Sequence, residues 1–301
     1  MGVILNIYNE ILNLKDKKNA LILAHYYQNK EIQDIADYVG DSYYLSRISK
    51  ESKNKLIVFC GVDFMGESAK ILSPTKKVLL ANREATCPMA NMLNINEILK
   101  LKEDYKDVAV VTYINSSLEL KTISDVIVTS SNAETIIRKL PEKNIIFIPD
   151  RNLGSYLAEK ISDKNFILLD GYCPIHEHID INEVKSIKSK FNNIKIVCHP
   201  ECNKKIRDLS EFIGSTSEII SYVNDLKKNE ILVLTENGVN KSFTDKNYYH
   251  KLKQDIVCAD MKKTTLEDVR DTLLFEKNEV EIDNDLVEKS RKPLIRMHEL
   301  A

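Results

Sequence analysis

The 301-residue sequence lacks the signatures of several large protein classes. It has no CxxC pair, no Walker A loop and no GxGxxG segment, which argues against zinc ribbons, P-loop NTPases and dinucleotide-binding domains. No apolar run approaches the length of a membrane span, and the N-terminal segment lacks a signal-peptide cleavage pattern. A net charge of −2 gives no bulk attraction to nucleic acid or to lipid. We therefore expect a globular protein that binds neither nucleic acid nor membranes.

The cysteines are the most informative residues that are present. Six cysteines without an export signal indicate a reducing compartment, so we expect a cytoplasmic protein whose thiols serve metals or chemistry. Three of them, Cys87, Cys173 and Cys258, lie 86 and 85 residues apart. Two of these begin similar pentapeptides, Cys87-Pro-Met-Ala-Asn and Cys173-Pro-Ile-His-Glu. A fixed period of this length predicts three related repeats.

Other landmarks recur with the same period. An apolar run ends in large polar side chains three times, at His25 and Tyr27, at Tyr113 and Asn115, and at His199 and Glu201. A small hydroxyl residue follows each run, at Ser42, Ser130 and Ser215, and an acidic residue stands further on, at Asp63, Asp150 and Glu236. Strands that alternate with helices give rough periodicity in any case, but four landmarks in one order favour a true repeat.

Short apolar, β-branched runs alternate with helical patterns along the whole chain, which predicts an α/β protein. The runs are almost continuously apolar, as in parallel strands covered by helices on both faces. We expect three homologous α/β/α sandwich domains with parallel sheets in a pseudo-threefold arrangement around a central iron–sulfur site. The predicted domains are residues 1–86, 87–172 and 173–257. Residues 258–301 form the third cysteine loop and C-terminal helices, which can pack back on the first domain.

Ten strands are predicted from these runs: Leu21–Ala24, Leu56–Phe59, Lys77–Leu80, Val108–Thr112, Val126–Thr129, Ile145–Ile148, Phe166–Leu169, Ile194–Cys198, Ile231–Leu234 and Asp255–Val257. Ligands of such sheets bind beyond the carboxyl ends of the strands. The polar residues at the ends of the apolar runs are therefore candidates for a site.

The three periodic cysteines have more than one interpretation. Single thiolates from three remote loops suit an iron–sulfur cubane in which one iron has no protein ligand and can act as a Lewis acid. Zinc is an alternative, although zinc thiolate sites usually draw ligands in close pairs. Three unrelated buried thiols are the other alternative. Cys60 and Cys198 lie at the ends of apolar strands and are interpreted as structural.

The polar strand ends predict acid–base chemistry. His25, His199, Tyr27 and Glu201 can exchange protons with a ligand in the crevice. Tyr113 and Asn115 alternate along one strand exit, so both side chains can bind one ligand. Ser42, Ser130, Ser215 and Thr216 precede helical patterns and are interpreted first as N-caps, although helix N-termini also bind anions. His176 and Met65 are weaker candidates for lining the pocket.

Several segments closely resemble the quinolinate synthase (quinolinate synthetase A) family over almost the whole chain. They are Ala24-His-Tyr-Tyr-Gln28, Gly40-Asp-Ser42, Gly61-Val-Asp-Phe-Met65, Ala85-Thr-Cys-Pro-Met-Ala90, Tyr113-Ile-Asn-Ser116, Pro149-Asp-Arg-Asn-Leu-Gly154, His199-Pro-Glu-Cys202, Gly214-Ser-Thr216 and Cys258-Ala-Asp-Met-Lys262. The resemblance implies three α/β domains around a [4Fe–4S] cluster that is held by Cys87, Cys173 and Cys258. It also implies the condensation of iminoaspartate with dihydroxyacetone phosphate to quinolinate in NAD biosynthesis.

The resemblance assigns roles to individual residues. Glu201 and Tyr27 would move protons, with help from His199 and His25. The substrate-binding residues that it implies are His25, Ser42, Tyr113, Ile114, Asn115, Ser130, His199, Pro200, Glu201, Ser215 and Thr216. The enzyme that supplies iminoaspartate is an expected partner. Two alternatives stay open: another [4Fe–4S] hydro-lyase of dicarboxylic acids, and a metal- or redox-sensing binding module.

Overall fold

The computed structural model describes residues 2–301, with side chains from Asn6 onward. Met1, which belongs to the predicted first domain, lies outside the described residues. The chain forms two compact units. The terminal unit comprises the residues up to Asn91 together with Ile114–Ile127 and Ala259–Ala301, and the central unit comprises Met92–Tyr113 and Val128–Cys258.

The described chain contains twelve β-strands. They are β1 (Ala20–His25), β2 (Tyr38–Gly40), β3 (Leu56–Cys60), β4 (Lys77–Leu80), β5 (Val108–Tyr113), β6 (Val126–Val128), β7 (Asn144–Ile148), β8 (Asn165–Leu168), β9 (Lys195–Cys198), β10 (Phe212–Ile213), β11 (Glu230–Leu234) and β12 (Tyr248–His250).

Fourteen α-helices and two 3₁₀ helices accompany the strands in the described residues. The α-helices are α1 (Gly2–Lys18), α2 (Lys30–Ile35), α3 (Ser42–Glu51), α4 (Asp63–Leu72), α5 (Ile95–Asp104), α6 (Leu118–Thr122), α7 (Ala133–Lys139), α8 (Arg151–Lys160), α9 (Pro174–Glu177), α10 (Ile181–Lys190), α11 (Lys204–Arg207), α12 (Thr216–Asp225), α13 (Leu266–Phe275) and α14 (Asn284–Leu300). The 3₁₀ helices span Pro88–Asn91 and Asn237–Ser242.

The strands form three four-stranded sheets with one common strand order. The orders are β2-β1-β3-β4, β6-β5-β7-β8 and β10-β9-β11-β12. In each sheet the first strand in the sequence lies between the second and the third, and the fourth lies at the far edge, beside the third. In the first and third sheets all neighbouring strands are parallel, and in the second β7 is parallel to both β5 and β8. The predicted α/β class with several parallel sheets is therefore confirmed.

Burial explains why the apolar runs form central strands. Every residue of β1 and β3 is buried, and only the first residue of β5 and of β7 is partly exposed. A strand that is covered on both faces needs apolar side chains at successive positions. In the terminal unit these strands share one core with α1 and α13, which includes Ile11, Ile22, Val58 and Leu273.

The structure departs from the predicted strands at the edges of the sheets. The predicted strand at Asp255–Val257 is wrong, since the fourth strand of the third sheet is β12, at Tyr248–His250. β2 and β10 were also not predicted, and both lie at sheet edges. β2, β10 and β12 are short, pair on one side only and carry exposed residues, such as Tyr248 at 63% exposure, so they lack the apolar signal that β4, β6 and β8 have.

A buried arginine connects α8 to the segment that follows β9 within the central unit. The Nη1 group of Arg207 donates to the carbonyl oxygens of Asn152 on α8 and Cys202 after β9, at 3.0 and 2.8 Å. Its Nη2 group donates to Ser155 Oγ at 2.8 Å. These contacts hold α8 against the segment that follows β9, where the predicted residues His199 and Glu201 lie. Among the described residues, no helix has the length and apolar character needed to span a membrane.

Candidate active site

Glu201 is the centre of a buried polar cluster in the central unit. Its Oε2 atom lies 2.8 Å from Nδ1 of His176 and 3.6 Å from Nδ1 of His199. The two imidazole rings stack with centroids 4.9 Å apart. Tyr113, the last residue of β5, also hydrogen-bonds to the Glu201 carboxylate. The structure therefore brings three predicted residues together with His176, which the sequence had given only a minor role.

His176 links this cluster to a periodic cysteine. It lies on α9, the short helix that begins directly after Cys173, and its Nδ1 atom is 3.2 Å from Cys173 Sγ. Its Nε2 atom is 3.0 Å from the hydroxyl of Thr235, which follows β11. Cys173, His176 and Glu201 place one sulfur, one nitrogen and one oxygen within 4.8 Å of one another, a donor set that suits a metal ion.

Burial and the neighbouring groups set the charges in the cluster. Burial lowers the pKa of His199 to about 4, so its imidazole is neutral at pH 7. Burial raises the pKa of Glu201, but the two histidines and the hydrogen bonds from His176 and Tyr113 outweigh it and lower the pKa to about 2. At neutral pH the cluster thus holds an ionised carboxylate beside a neutral imidazole.

The terminal unit contains a second polar strand end of the same geometry. His25 ends β1, and its Nδ1 atom accepts the backbone N–H of Tyr27 at 3.1 Å. In the central unit His199 Nδ1 accepts the N–H of Glu201 at 3.3 Å in the same way. A neutral imidazole whose Nδ1 atom accepts carries its proton on Nε2. Both histidines therefore present an Nε2–H donor, and Tyr27 packs edge-on against His25 with ring centroids 4.6 Å apart.

The predicted hydroxyl residues differ in their positions. Ser215 caps α12 and forms a capping box with Glu218, as predicted. Thr216 is the first residue of α12, and Ser42 is the first residue of α3, whose cap is Asp41, so the N-cap interpretation of these two is wrong. Ser130 precedes α7 by three positions, and the residue at the cap position of α7 is Asn132. Ser130 and Pro200 line one cleft of the central unit.

Two amide side chains of the terminal unit have buried oxygen atoms without a hydrogen-bond partner among the described residues. They are Asn115 Oδ1, in a segment predicted to bind substrate, and Gln28 Oε1, three residues after His25. Ile114 is buried beside Asn115 along the chain. A buried amide oxygen without a partner costs free energy, so both atoms are suited to accept a hydrogen bond from a ligand.

Lys121 is a buried cation that the sequence did not single out. It lies on α6 with no exposed surface, and its ammonium group donates to the carbonyl oxygen of Ser116 and lies 5.5 Å from the centre of the Phe64 ring. Burial lowers its pKa to about 8, while the carboxylates of Glu67 and Asp63 and the thiol of Cys87 oppose this change. Only the tertiary fold reveals it, because a lysine on a short polar helix normally faces solvent.

Exposure separates the six cysteines into two groups. Cys60, Cys198 and Cys202 are fully buried, which agrees with the interpretation of Cys60 and Cys198 as structural thiols. The three periodic cysteines, Cys87, Cys173 and Cys258, are each partly exposed. Burial raises the pKa of the Cys60 thiol above its ordinary range, which makes this thiol a poor metal ligand.

Comparison with known proteins identifies relatives along nearly the whole chain. The sequence model of the family described as "Quinolinate synthetase A protein" matches residues 9–299. The chain is 54% identical to a protein named quinolinate synthase from Clostridium perfringens (strain ATCC 13124), over 99% of this chain and all of that protein. It is 48% identical to a protein of the same name from Clostridioides difficile (strain 630), over 97% of each chain.

One solved structure shows a weaker likeness. The E-1-hydroxy-2-methyl-but-2-enyl-4-diphosphate reductase from Plasmodium falciparum aligns with a TM-score of 0.30 and 12% identity, over 90% of this chain and 93% of that one. This likeness is too weak to bear on the fold.

Proposed function

The chain belongs to the quinolinate synthetase A protein family, and we propose that it acts as a quinolinate synthase on iminoaspartate and dihydroxyacetone phosphate. The two substrates join to give quinolinate, with release of one phosphate and two waters, and no outside oxidant or reductant is needed. The observation that carries the proposal at the level of the site is the buried contact between Glu201 and His176, beside Cys173. This contact places Glu201, a proton acceptor, close to Cys173, a proposed metal ligand.

The proposed cofactor is a [4Fe–4S] cluster held by Cys87, Cys173 and Cys258. Its support is the chemistry of the thiols: these three are the partly exposed cysteines of the chain, whereas the other three are fully buried. When bound, such a cluster with one iron free of protein ligands supplies a Lewis acid that polarises a substrate oxygen. The remaining steps are the work of the side chains.

Glu201 is the proposed proton acceptor. It is ionised at neutral pH and is oriented by His176 and by Tyr113. The ionised carboxylate can accept a proton from the substrate, and the protonated group can then give that proton to a departing hydroxyl. Dehydration needs both actions, since a proton leaves carbon and another must reach the oxygen that becomes water.

The two strand-end histidines are proposed to bind substrate oxygens through Nε2–H. His199 is suited to this role because its low pKa keeps the ring neutral at pH 7. A neutral imidazole can polarise a substrate carbonyl through its N–H group and does not need to be protonated beforehand. His25 has the same backbone geometry, and Tyr27 stands beside it with a phenol that can donate or accept a proton. Tyr27 is the second proposed proton carrier.

Both substrates are anions, and the proposed residues that receive them come from several elements. The N-termini of α3 and α12 offer backbone N–H groups; Ser42 and Thr216 are the first residues of these helices, and Ser215 is the N-cap of α12. Asn115 offers its unpartnered buried oxygen to a donor group. The remaining proposed contacts are Tyr113, Ile114, Ser130 and Pro200.

The proposal extends to architecture and cellular context. We propose three domains, residues 1–86, 87–172 and 173–257, in a pseudo-threefold arrangement, with residues 258–301 forming the third cysteine loop and C-terminal helices. Its support is the common strand order of the three sheets. Six free cysteines support a reducing compartment, and we propose the cytoplasm. The enzyme that produces iminoaspartate is the proposed partner, because an imine hydrolyses readily in water.

Anaerobic reconstitution with iron and sulfide, followed by an assay of quinolinate, tests the function. We expect a brown protein that forms quinolinate only when both iminoaspartate and dihydroxyacetone phosphate are supplied. Dehydration of a dicarboxylic acid without quinolinate formation would instead indicate a different hydro-lyase. A colourless protein that binds zinc and forms no product would support a sensor.

A further inference from the structure

The acidic landmark of the repeats occupies a defined structural position in two of the three sheets. Asp150 follows β7 by two residues and is the N-cap of α8, and Glu236 follows β11 by two residues and is the N-cap of the 3₁₀ helix Asn237–Ser242. Both side chains are fully buried. One oxygen of each caps the following helix: Asp150 Oδ1 accepts from Leu153 N at 2.8 Å, and Glu236 Oε2 accepts from Gly238 N at 2.6 Å.

The other oxygen of each carboxyl group reaches a periodic cysteine. Asp150 Oδ2 accepts the backbone N–H of Cys173 at 3.1 Å, and Glu236 Oε1 accepts the backbone N–H of Cys258 at 3.4 Å. One carboxyl group thus ties the start of a helix to the peptide of a cysteine more than twenty residues later. The same device in two sheets is difficult to explain by helix capping alone, because a cap uses only one oxygen.

A main-chain hydrogen bond brings each cysteine loop to its carboxyl group. Arg151 N donates to Gly171 O, and Asn237 N donates to Ile256 O, both at 2.8 Å. Gly171 is fitted to this close approach, since a Cβ atom there would lie 2.4 Å from the carbonyl oxygen of Pro149. The acceptors, Gly171 and Ile256, each lie two positions before their cysteine, so the two cysteine loops pair with the chain at the same position.

The first repeat shows that the carboxyl group is not a requirement of the fold. There Asp63 N donates to Ala85 O at 2.9 Å, again two residues before the cysteine, and the cap position of α4 is Val62. The sequence correspondence of Asp63 with Asp150 is therefore wrong by one residue, and valine stands where the carboxyl group would be. In this repeat Asp260 faces the loop instead, with Oδ1 3.4 Å from Thr86 N.

We infer that Asp150 and Glu236 are positioning residues that fix the peptides of Cys173 and Cys258 so that their thiolates are held ready for the cluster. The inference rests on one part of the proposed function, namely that Cys173 and Cys258 are ligands of the cluster. A partner that orients a metal ligand typically changes metal affinity or activity about 10- to 100-fold when it is removed. The carboxyl groups act through the backbone and do not touch the substrate.

The test uses Asp150→Asn and Glu236→Gln in the full chain without cluster. An amide oxygen can accept from one of the two N–H donors, but the NH₂ group cannot accept from the other. Asp283→Asn is the matched control, because Asp283 is exposed and caps α14 by accepting from Asp285 N. Each cysteine is alkylated at a pH at which its thiol is already fully ionised, and the rate of alkylation is read by peptide mapping. Under this condition a change in the alkylation rate reports a change in the mobility of the loop.

We expect Asp150→Asn to raise the alkylation rate of Cys173 about tenfold and to leave that of Cys258 within about twofold, with the reverse for Glu236→Gln. The buried Cys198 reports general loosening of the central unit and should stay protected, and in Asp283→Asn every cysteine should react at its wild-type rate. Unchanged labelling, or equal increases at Cys173, Cys258 and Cys198, would overturn the inference.

A second measurement separates this inference from the proposed function. After reconstitution, iron loss to a chelator should be about 10- to 100-fold faster in both variants than in the wild type. If the wild type takes up no cluster, the proposed cofactor is wrong, and the labelling pattern still decides the positioning role. If the cluster forms and both variants lose iron at the rate of the wild type, the positioning role is wrong and the proposed function stands.

Discussion

Glu201 Oε2 lies 2.8 Å from Nδ1 of His176, and both side chains are almost completely buried. The contact joins a residue two positions beyond the strand-end His199 to the fourth residue of the pentapeptide that begins with Cys173. The two residues are 25 positions apart in the sequence, and no local pattern predicts their pairing. The carboxylate and the thiol therefore contact the same imidazole nitrogen, Nδ1 of His176.

Glu201→Gln should abolish most of the activity. The amide cannot take up a proton, and only one of its two terminal atoms can accept a hydrogen bond, so we expect kcat to fall by about 100-fold or more. The measurement is the rate of quinolinate formation at matched iron content. Glu288→Gln, an exposed residue of α14, is the control and should keep wild-type kcat. Near-native turnover in Glu201→Gln would remove this residue from the mechanism.

Cys173→Ala should abolish the visible absorption of the reconstituted protein, whereas Cys60→Ala should retain it. Cys60 is fully buried in a strand of the terminal unit, and Cys173 is partly exposed beside His176. The comparison requires folded variants, which circular dichroism checks. Cluster loss in Cys60→Ala together with retention in Cys173→Ala would overturn the ligand assignment.

The stability of the protein should fall between pH 6.5 and pH 4 because of His199. Its folded-state pKa is lowered to about 4, so the unfolded chain takes up the proton first and acid favours unfolding. The contribution is complete above about pH 6.5 and is lost as the pH falls, by up to about 3 kcal/mol. Glu201, whose pKa is lowered to about 2, loses its own contribution only below about pH 4.5.

Urea unfolding at pH 7.5 and at pH 5 measures this effect. The free energy of unfolding of the wild type should decrease more between the two pH values than that of His199→Asn, which has no imidazole to protonate. A pH dependence of equal size in both proteins would show that His199 does not titrate as its burial requires.

Lys121→Met should destabilise the terminal unit. Methionine cannot donate to the buried carbonyl oxygen of Ser116, and it removes the cation whose charge offsets the carboxylates of Asp63 and Glu67, so we expect a loss of about 2 kcal/mol. The free energy of unfolding in urea at pH 7.5 is the readout. Lys100→Met, an exposed position on α5, should change it by less than about 0.5 kcal/mol. A Lys121→Met protein as stable as the wild type would mean that the ammonium does not offset these carboxylates.

The sequence predicts the centre of each sheet far better than its edges. Runs such as Leu56–Phe59 and Ile145–Ile148 are apolar at every position because both faces are covered, and the structure confirms them as central strands. β2, β10 and β12 escaped prediction because these edge strands have only two or three residues, most of them partly exposed, whereas the edge strands β4, β6 and β8 were predicted from their apolar residues. The repeat itself is visible in the sequence through its spacing.

The sequence alone determined the repeat, the α/β class, the family and which thiols and polar strand ends to examine, because these depend on spacing and on local composition. Only the tertiary structure decided that His176 bridges Cys173 and Glu201, that Lys121 is buried, and that Val62 rather than Asp63 corresponds to Asp150. Those facts depend on distances between residues far apart along the chain, and on the observed strand ends, which place Val62, Asp150 and Glu236 each two residues after a strand.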